Sequence, residues 1–283
     1  MQALWMLAAT FMFALMGMFV KLASETGANL PQIVLMRGIP SVIMLLIWAR
    51  GSRLTIKPAA WRPHLLRNVA GLSSMWLGFY ALSQLPLATA ITLNYTAPLF
   101  IAGWMLGWGG AAMDRIRLFA VVLGFAGVLA VLRPTLNPDM WLAALGGIGA
   151  GAFAAVAQLQ IRSLGRLGEP GWRIVLLFSV GVCITGAVAL MFQGWQPLSL
   201  SGWATLGGLG MVGLLGQLAL TRAFGLGSAL LSAALQYTII IFASVLGFVL
   251  WGDTPDSIAV IGMALIVGAS LLSVWRTAHS PSS

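Results

Sequence analysis

Charge is what this 283-residue chain has least of. Only 7% of its residues are Asp, Glu, Lys or Arg, against about 25% in an ordinary soluble domain. With 60% apolar residues and a mean hydropathy of +0.97, too little polar surface exists to coat a soluble particle. Disorder is excluded on the same ground, because disordered chains combine low hydrophobicity with high charge. The single cysteine, Cys183, rules out a disulfide framework and a multi-cysteine metal site. The two histidines, His64 and His279, and six acidic residues leave few parts for catalysis. No metal or cofactor is expected. Room for a soluble domain is also missing. A spanning helix takes roughly 20 residues, so ten spans consume about 210 and leave about 70 for connections.

The expectation is therefore an all-α integral membrane protein of ten transmembrane helices. Apolar runs place them at 3–23, 31–49, 65–84, 87–108, 115–133, 140–161, 171–193, 201–221, 228–250 and 257–275. The first run has no basic segment before it and reads as a span rather than a cleaved signal peptide. The 12 tryptophans and 34 glycines suit such a protein: Trp at the interfaces, Gly where helices meet. Residues 50–64 read as a loop with a short interfacial segment.

The net charge of +9 could suggest nucleic acid, but the basic residues are scattered between apolar runs and read as topology signals. No nucleic-acid partner is expected. Twelve of the fifteen fall on one side if both termini are cytoplasmic: Arg50, Arg53, Lys57, Arg62 and Arg67 between spans two and three, then Arg115, Arg117, Arg162, Arg166, Arg173, Arg222 and Arg276. Lys21, Arg37 and Arg133 lie on the other. This predicts a multi-pass protein of the cell inner membrane, in contact with lipid and acting as a monomer or homodimer.

An internal repeat appears at an offset of 142 residues. Ala81–Phe100 (ALSQLPLATAITLNYTAPLF) then falls on Ala223–Phe242 (AFGLGSALLSAALQYTIIIF), matching Tyr95 and Thr96 to Tyr237 and Thr238 and the amide Asn94 to the amide Gln236. Each half holds five spans, an odd number, so the second half is inverted. The site is then expected near the midplane between halves. The division is 1–136 and 137–283.

These features resemble the drug/metabolite transporter superfamily, EamA type. The resemblance rests on two fives of short spans, MFVKLAS with Lys21, LMRGIPSVIMLLIWA with Arg37, FYALSQLPLATAITLNYTAPLF, and a small-residue span ending VLAVLRP. The context of Arg37 and the LNYTAPLF segment look most similar to S-adenosylmethionine- and riboflavin-carrier-like members. The resemblance implies a secondary carrier of a small metabolite or drug-like solute (amino acid, nucleoside-like or vitamin-like), with a central cavity and alternating access.

The acidic residues all fall in loops or at span ends, which disfavours a carboxylate proton relay. Arg37 stands out as a charge inside a span. It either attracts a substrate carboxylate or phosphate, or is tied to carbonyls freed nearby; Lys21 either joins it or snorkels to the interface. Pro98 cannot donate to the carbonyl of Asn94, and Pro40 likewise frees Met36, so span four is expected to kink beside Asn94, Tyr95 and Thr96. Asn94, Tyr95, Gln236 and Tyr237 are candidate cavity residues; the alternative is that they only join helices. Trp76 and Tyr80 share a face of span three with Ser73, and Gln158 and Gln217 add amides. Met6, Met12 and Met16 offer a soft wall or plain packing. The Gly147/Gly151 pair and the Gly207, Gly208, Gly210, Gly213, Gly216 series read as close-packing sites. Two other function classes stay open. A passive channel lacks visible charge rings or carbonyl filters. An intramembrane enzyme lacks a catalytic pair, since Cys183 has no evident histidine partner.

Overall fold

The computed structural model describes residues 2–58, 60–97, 99–100, 116, 119, 122–124, 126–127, 130, 140–225, 235–236 and 238–278. Nine helices are defined among the described residues: α1 (Gln2–Glu25), α2 (Leu30–Gly51), α3 (Trp61–Gln84), α4 (Leu87–Asn94), α5 (Trp141–Arg166), α6 (Gly171–Gln193), α7 (Leu200–Gly225), α8 (Thr238–Trp251) and α9 (Ser257–Ala278). The predicted fifth span lies largely outside the described residues, as do Pro98, Asp114, Asp139, Tyr237 and His279. Among the described residues, five stretches are long and apolar enough to cross a bilayer: Ala3–Glu25, Leu30–Gly51, Trp141–Arg166, Gly171–Gln193 and Leu200–Leu220. The chain is all-helical and multi-pass.

Local chemistry sets the ends. α2 opens on a capping box, in which the Asn29 side chain accepts from the Gln32 amide at 3.0 Å and the Gln32 side chain accepts from the Asn29 amide at 2.9 Å. Gly27, Gly168, Gly194 and Gly252 follow helix ends with positive φ, the conformation that glycine takes without a Cβ penalty. α4 stops at Asn94 and the backbone turns at Tyr95 and Thr96, where the kink was expected. α3 begins at Trp61, so the end of the predicted 50–64 loop is already helical.

The interior is where polar groups collect. Gln32, Ser41, Thr92 and Ser179 are fully buried, while Ile47, Leu142, Phe192 and Leu200 point outward. That arrangement suits a lipid exterior, where every polar group needs an internal partner.

Helices pair across the halves of the chain. α1 runs along α7, α3 along α5, α2 along α6 and α7, and α4 against α5 and α8. Glycines permit the approach. A Cβ at Gly186 of α6 would lie 2.8 Å from the Leu35 backbone nitrogen, and one at Gly210 of α7 would lie 2.6 Å from the Met36 carbonyl oxygen, beside Pro40. Gly208 and Gly216 pack against Phe19 and Met12. Gly207 faces open space, so the expected packing role does not extend to it.

Gly186→Ala should therefore lower stability by about 1–3 kcal/mol, because the colliding atoms are backbone and cannot rotate away. Gly207→Ala should leave it unchanged or raise it slightly. Thermal unfolding of the two purified variants checks this; equal melting temperatures would refute the close α2–α6 contact.

Candidate functional site

A cavity of about 250 Å³ lies among α1 to α7 and the start of α8. Among the described residues, no carboxylate lines it. Five of the predicted site residues do: Arg37, Asn94, Tyr95, Gln158 and Gln236. Gln217 and Met16 join them. Asn94 sits where α4 ends. Its amide nitrogen would lie 3.0 Å from a Cβ at Gly78, and its buried Oδ1 has no hydrogen-bond partner.

Trp76 and Tyr80 do not line the cavity. The Trp76 indole donates to Thr185 Oγ1 of α6 at 3.2 Å, and Tyr80 passes the glycine surface of α5 at Gly146. α3 presents a different face: Arg67, Gly71, Ser74, Gly78 and Leu82 all line the cavity. At about 100° per residue, that stripe is roughly opposite the Ser73/Trp76/Tyr80 face. Tyr237 lies outside the described residues.

Arg67 corrects the sequence reading most. Counted as a loop charge, it is instead a buried cavity residue, 4% exposed. Its guanidinium lies 3.7 Å from the centre of the Phe178 ring. Nε and Nη1 find no hydrogen-bond partner. Among the residues whose burial is described, Arg37 is thus one of two arginines buried inside helices. Arg37, 3% exposed, reaches Ser41 Oγ at 3.5 Å and crosses α7 where a Cβ on Gly213 would meet its Nε at 2.6 Å. The spacing Arg67, Gly71, Ser74, Gly78 was the available signal: small and polar residues at i, i+4, i+7, i+11 mark one helical face.

Lys21 is elsewhere. Its Nζ pairs with Asp253 Oδ2 at 3.1 Å and lies over the Trp251 ring. It joins no substrate pair with Arg37.

The 142-residue offset reappears in the lining. Met16 and Gln158, Met75 and Gln217, Gly78 and Leu220, Asn94 and Gln236, Ala97 and Ile239 are each separated by it, and both members of every pair face the cavity. The hydroxyls of Thr96 and Thr238, another such pair, each donate three residues back, to the carbonyls of Leu93 and Leu235, both at 2.7 Å.

A multi-pass helical protein whose cavity combines largely apolar walls with two arginines and several amides is built to hold a small solute within a membrane. The EamA-like transporter family matches residues 1–133 and 141–275, and the chain belongs to that family. It is 30% identical over 266 residues to the pseudopaline exporter of Pseudomonas aeruginosa strain UCBPP-PA14, covering 93% of this chain and 92% of that protein. It is 26% identical over 284 residues to a riboflavin transporter of Vibrio cholerae, covering 98% and 94%. A Rickettsia bellii S-adenosylmethionine uptake transporter is 23% identical over 238 residues, covering 83% and 80%. One solved crystal structure, 21% identical, superposes over 96% of this chain and 99% of its own with a TM-score of 0.63, a likeness of fold. The protein is a secondary transporter of small solutes, not an enzyme.

Trp76→Phe should lower stability by about 1 kcal/mol through loss of the Thr185 bond and leave solute affinity unchanged. Thermal unfolding and transport assays on one preparation check both; a weakened affinity at normal stability would return Trp76 to the site.

Proposed function

We propose that the chain carries a small metabolite across the cell inner membrane by alternating access, as ten helices in two inverted five-helix repeats, residues 1–136 and 137–283. The solute binds at Asn94, Tyr95, Gln158, Gln236 and Arg37. The observation that carries this reading is the set of five offset-related pairs lining one cavity. A cavity on a pseudo-two-fold axis is built from equivalent positions of both repeats.

The helix contacts support the same symmetry. With α1 to α4 as spans one to four and α5 to α9 as spans six to ten, exchanging the halves turns the α1–α7 contact into α3–α5. It turns α1–α8 into α4–α5 and α2–α7 into α3–α6, and returns α2–α6 and α4–α8 to themselves. All of these contacts are present.

Each end of the bundle is tied between halves. At one end, Lys21 meets Asp253, and Asn29 and Gln32 donate to the carbonyls of Gly194 and Gln196 at 2.9 and 2.8 Å. At the other, the Arg173 guanidinium donates to the Thr55 carbonyl at 2.6 Å and to Glu169 at 2.8 Å, and Glu169 lies 3.4 Å from His64 Nε2. Alternating access requires each set to open in turn while the other holds. The end bearing Arg50, Arg53, Lys57, Arg166 and Arg173 is the cytoplasmic one by the excess of positive charge, and places both termini in the cytoplasm. The described lining residues all come from one chain, so a monomer suffices for the proposed site and a homodimer is compatible with it. Relatives of this chain are named for export and for uptake, so family membership alone does not set the direction.

Asn94→Ala and Gln236→Ala should each weaken solute affinity by roughly 5- to 150-fold, the loss of about 1–3 kcal/mol for one buried hydrogen bond. Saturable countertransport in liposomes measures this; wild-type affinity in both variants would displace the site from these amides. For topology, a cysteine replacing exposed Thr254 in a Cys183→Ser background should label from outside intact cells, and one replacing exposed Lys57 only after permeabilisation. The reverse pattern would overturn the orientation.

A further inference from the structure

The cavity has a charge imbalance that the carrier reading leaves unexplained. Two guanidiniums, Arg37 and Arg67, line it, each nearly fully buried. The described carboxylates are engaged elsewhere: Glu25 accepts from the Trp251 indole, Glu169 from Arg173, Asp253 from Lys21, and Asp256 from the Ala259 amide. Burying one cation without a counter-charge is costly, and two in one cavity repel each other as well.

The protein groups around them offer little compensation. A guanidinium carries five N–H donors in one plane. The Phe178 ring covers the flat face of Arg67 but accepts none of them in plane, and two nitrogens stay unpaired. Arg37 has a single long contact to Ser41, at 3.5 Å. Yet both side chains are seated deliberately. Gly71 lies against Arg67, where a Cβ would come 2.9 Å from Nη1, and Gly213 lies against Arg37. Gly71 and Gly213 are themselves separated by the 142-residue offset. The same glycine of each repeat thus makes room for an arginine of the first half.

We propose that Arg37 and Arg67 form an oxyanion subsite, holding a carboxylate or phosphate group of a soluble metabolite whose remaining polar edges meet the amides of Asn94, Gln158 and Gln236. This deepens and rests on the carrier reading above. Planar guanidiniums match the two-oxygen edge of a carboxylate or phosphate. An anion entering the cavity supplies the missing counter-charge and the missing acceptors together. The first half contributes the cationic end of the site, and Gln158, Gln217 and Gln236 of the second half contribute the neutral end. The substrate class is a small organic anion with hydrogen-bonding groups away from its acidic end.

The test uses purified full-length protein in phosphatidylcholine nanodiscs and the arginine reagent phenylglyoxal, with labelled peptides mapped by mass spectrometry. Citrate and inorganic phosphate, added at constant ionic strength against chloride, should slow modification of Arg37 and Arg67 at least tenfold and leave exposed Arg53 unaffected. Both anions should raise the melting temperature. Arg67→Gln and Arg37→Gln should each lower the apparent citrate affinity at least tenfold, whereas Lys57→Gln should not. Labelling of wild-type Arg37 and Arg67 unchanged by either anion overturns the subsite, whether or not the variants fold. Protection in phosphatidylglycerol nanodiscs without added anion overturns the soluble substrate in favour of a lipid headgroup. Liposome countertransport separates the two readings. Saturable exchange of a solute that citrate neither joins nor inhibits removes the subsite and keeps the carrier. Citrate protection with no exchange of any solute removes the carrier reading and keeps the binding site.

Discussion

A guanidinium placed in a bilayer-spanning helix has to be turned inward, and much of this structure follows from turning two of them. Neither can be satisfied by lipid, and each needs space beside a helix axis. Gly213 and Gly71 provide that space. Pro40 frees the Met36 carbonyl one residue from Arg37, and Gly210 brings α7 against that carbonyl. The α2–α7 contact is therefore both a packing contact and the seat of the cavity's charge. Substituting any of these small residues would move the charge and the helix together.

The same constraint explains how much of the fold the bare chain revealed. Apolar runs located α1, α2, α5, α6 and α7 within a few residues, because lipid demands a long uninterrupted stretch and few compositions supply it. α3 is the instructive exception. Arg62, His64, Arg67, Asn68 and its serines make it less apolar than the five clear crossing segments. Of these, Arg67 and Ser74 face the cavity, while His64 lies beside Glu169 and Asn68 donates to the Leu177 carbonyl of α6. The least apolar of these helices contributes the most lining residues to the candidate site.

The site was legible where it was duplicated and illegible where it was not. Asn94 and Gln236 stood out because an amide recurred at a fixed offset, and both line the cavity. Arg67 has Leu209 at its offset position and so carried no repeat signal. It also sat among loop arginines, whose charges do report topology. Trp76 and Tyr80 attracted attention as aromatics, yet which face of α3 meets the cavity depends on α5 and α6 packing behind it, a tertiary fact absent from local spacing.

Symmetry and asymmetry divide the work between scaffold and chemistry. Thr96 and Thr238 each donate to the carbonyl three residues back, and Gly71 and Gly213 each lie against an arginine. Positions that shape helices agree between the halves. Positions that only face the cavity diverge: methionine at 16 and 75, glutamine at 158 and 217. A carrier built from inverted repeats gains two equivalent arrangements of its helices from that agreement. A solute, however, has distinct ends, and a cavity with matching walls could not orient it. Divergence at lining positions makes the first half's lining soft and cationic, with Met16, Met75, Arg37 and Arg67, and the second half's rich in amides, with Gln158, Gln217 and Gln236, the asymmetry that the proposed carrier needs to orient a solute with distinct ends.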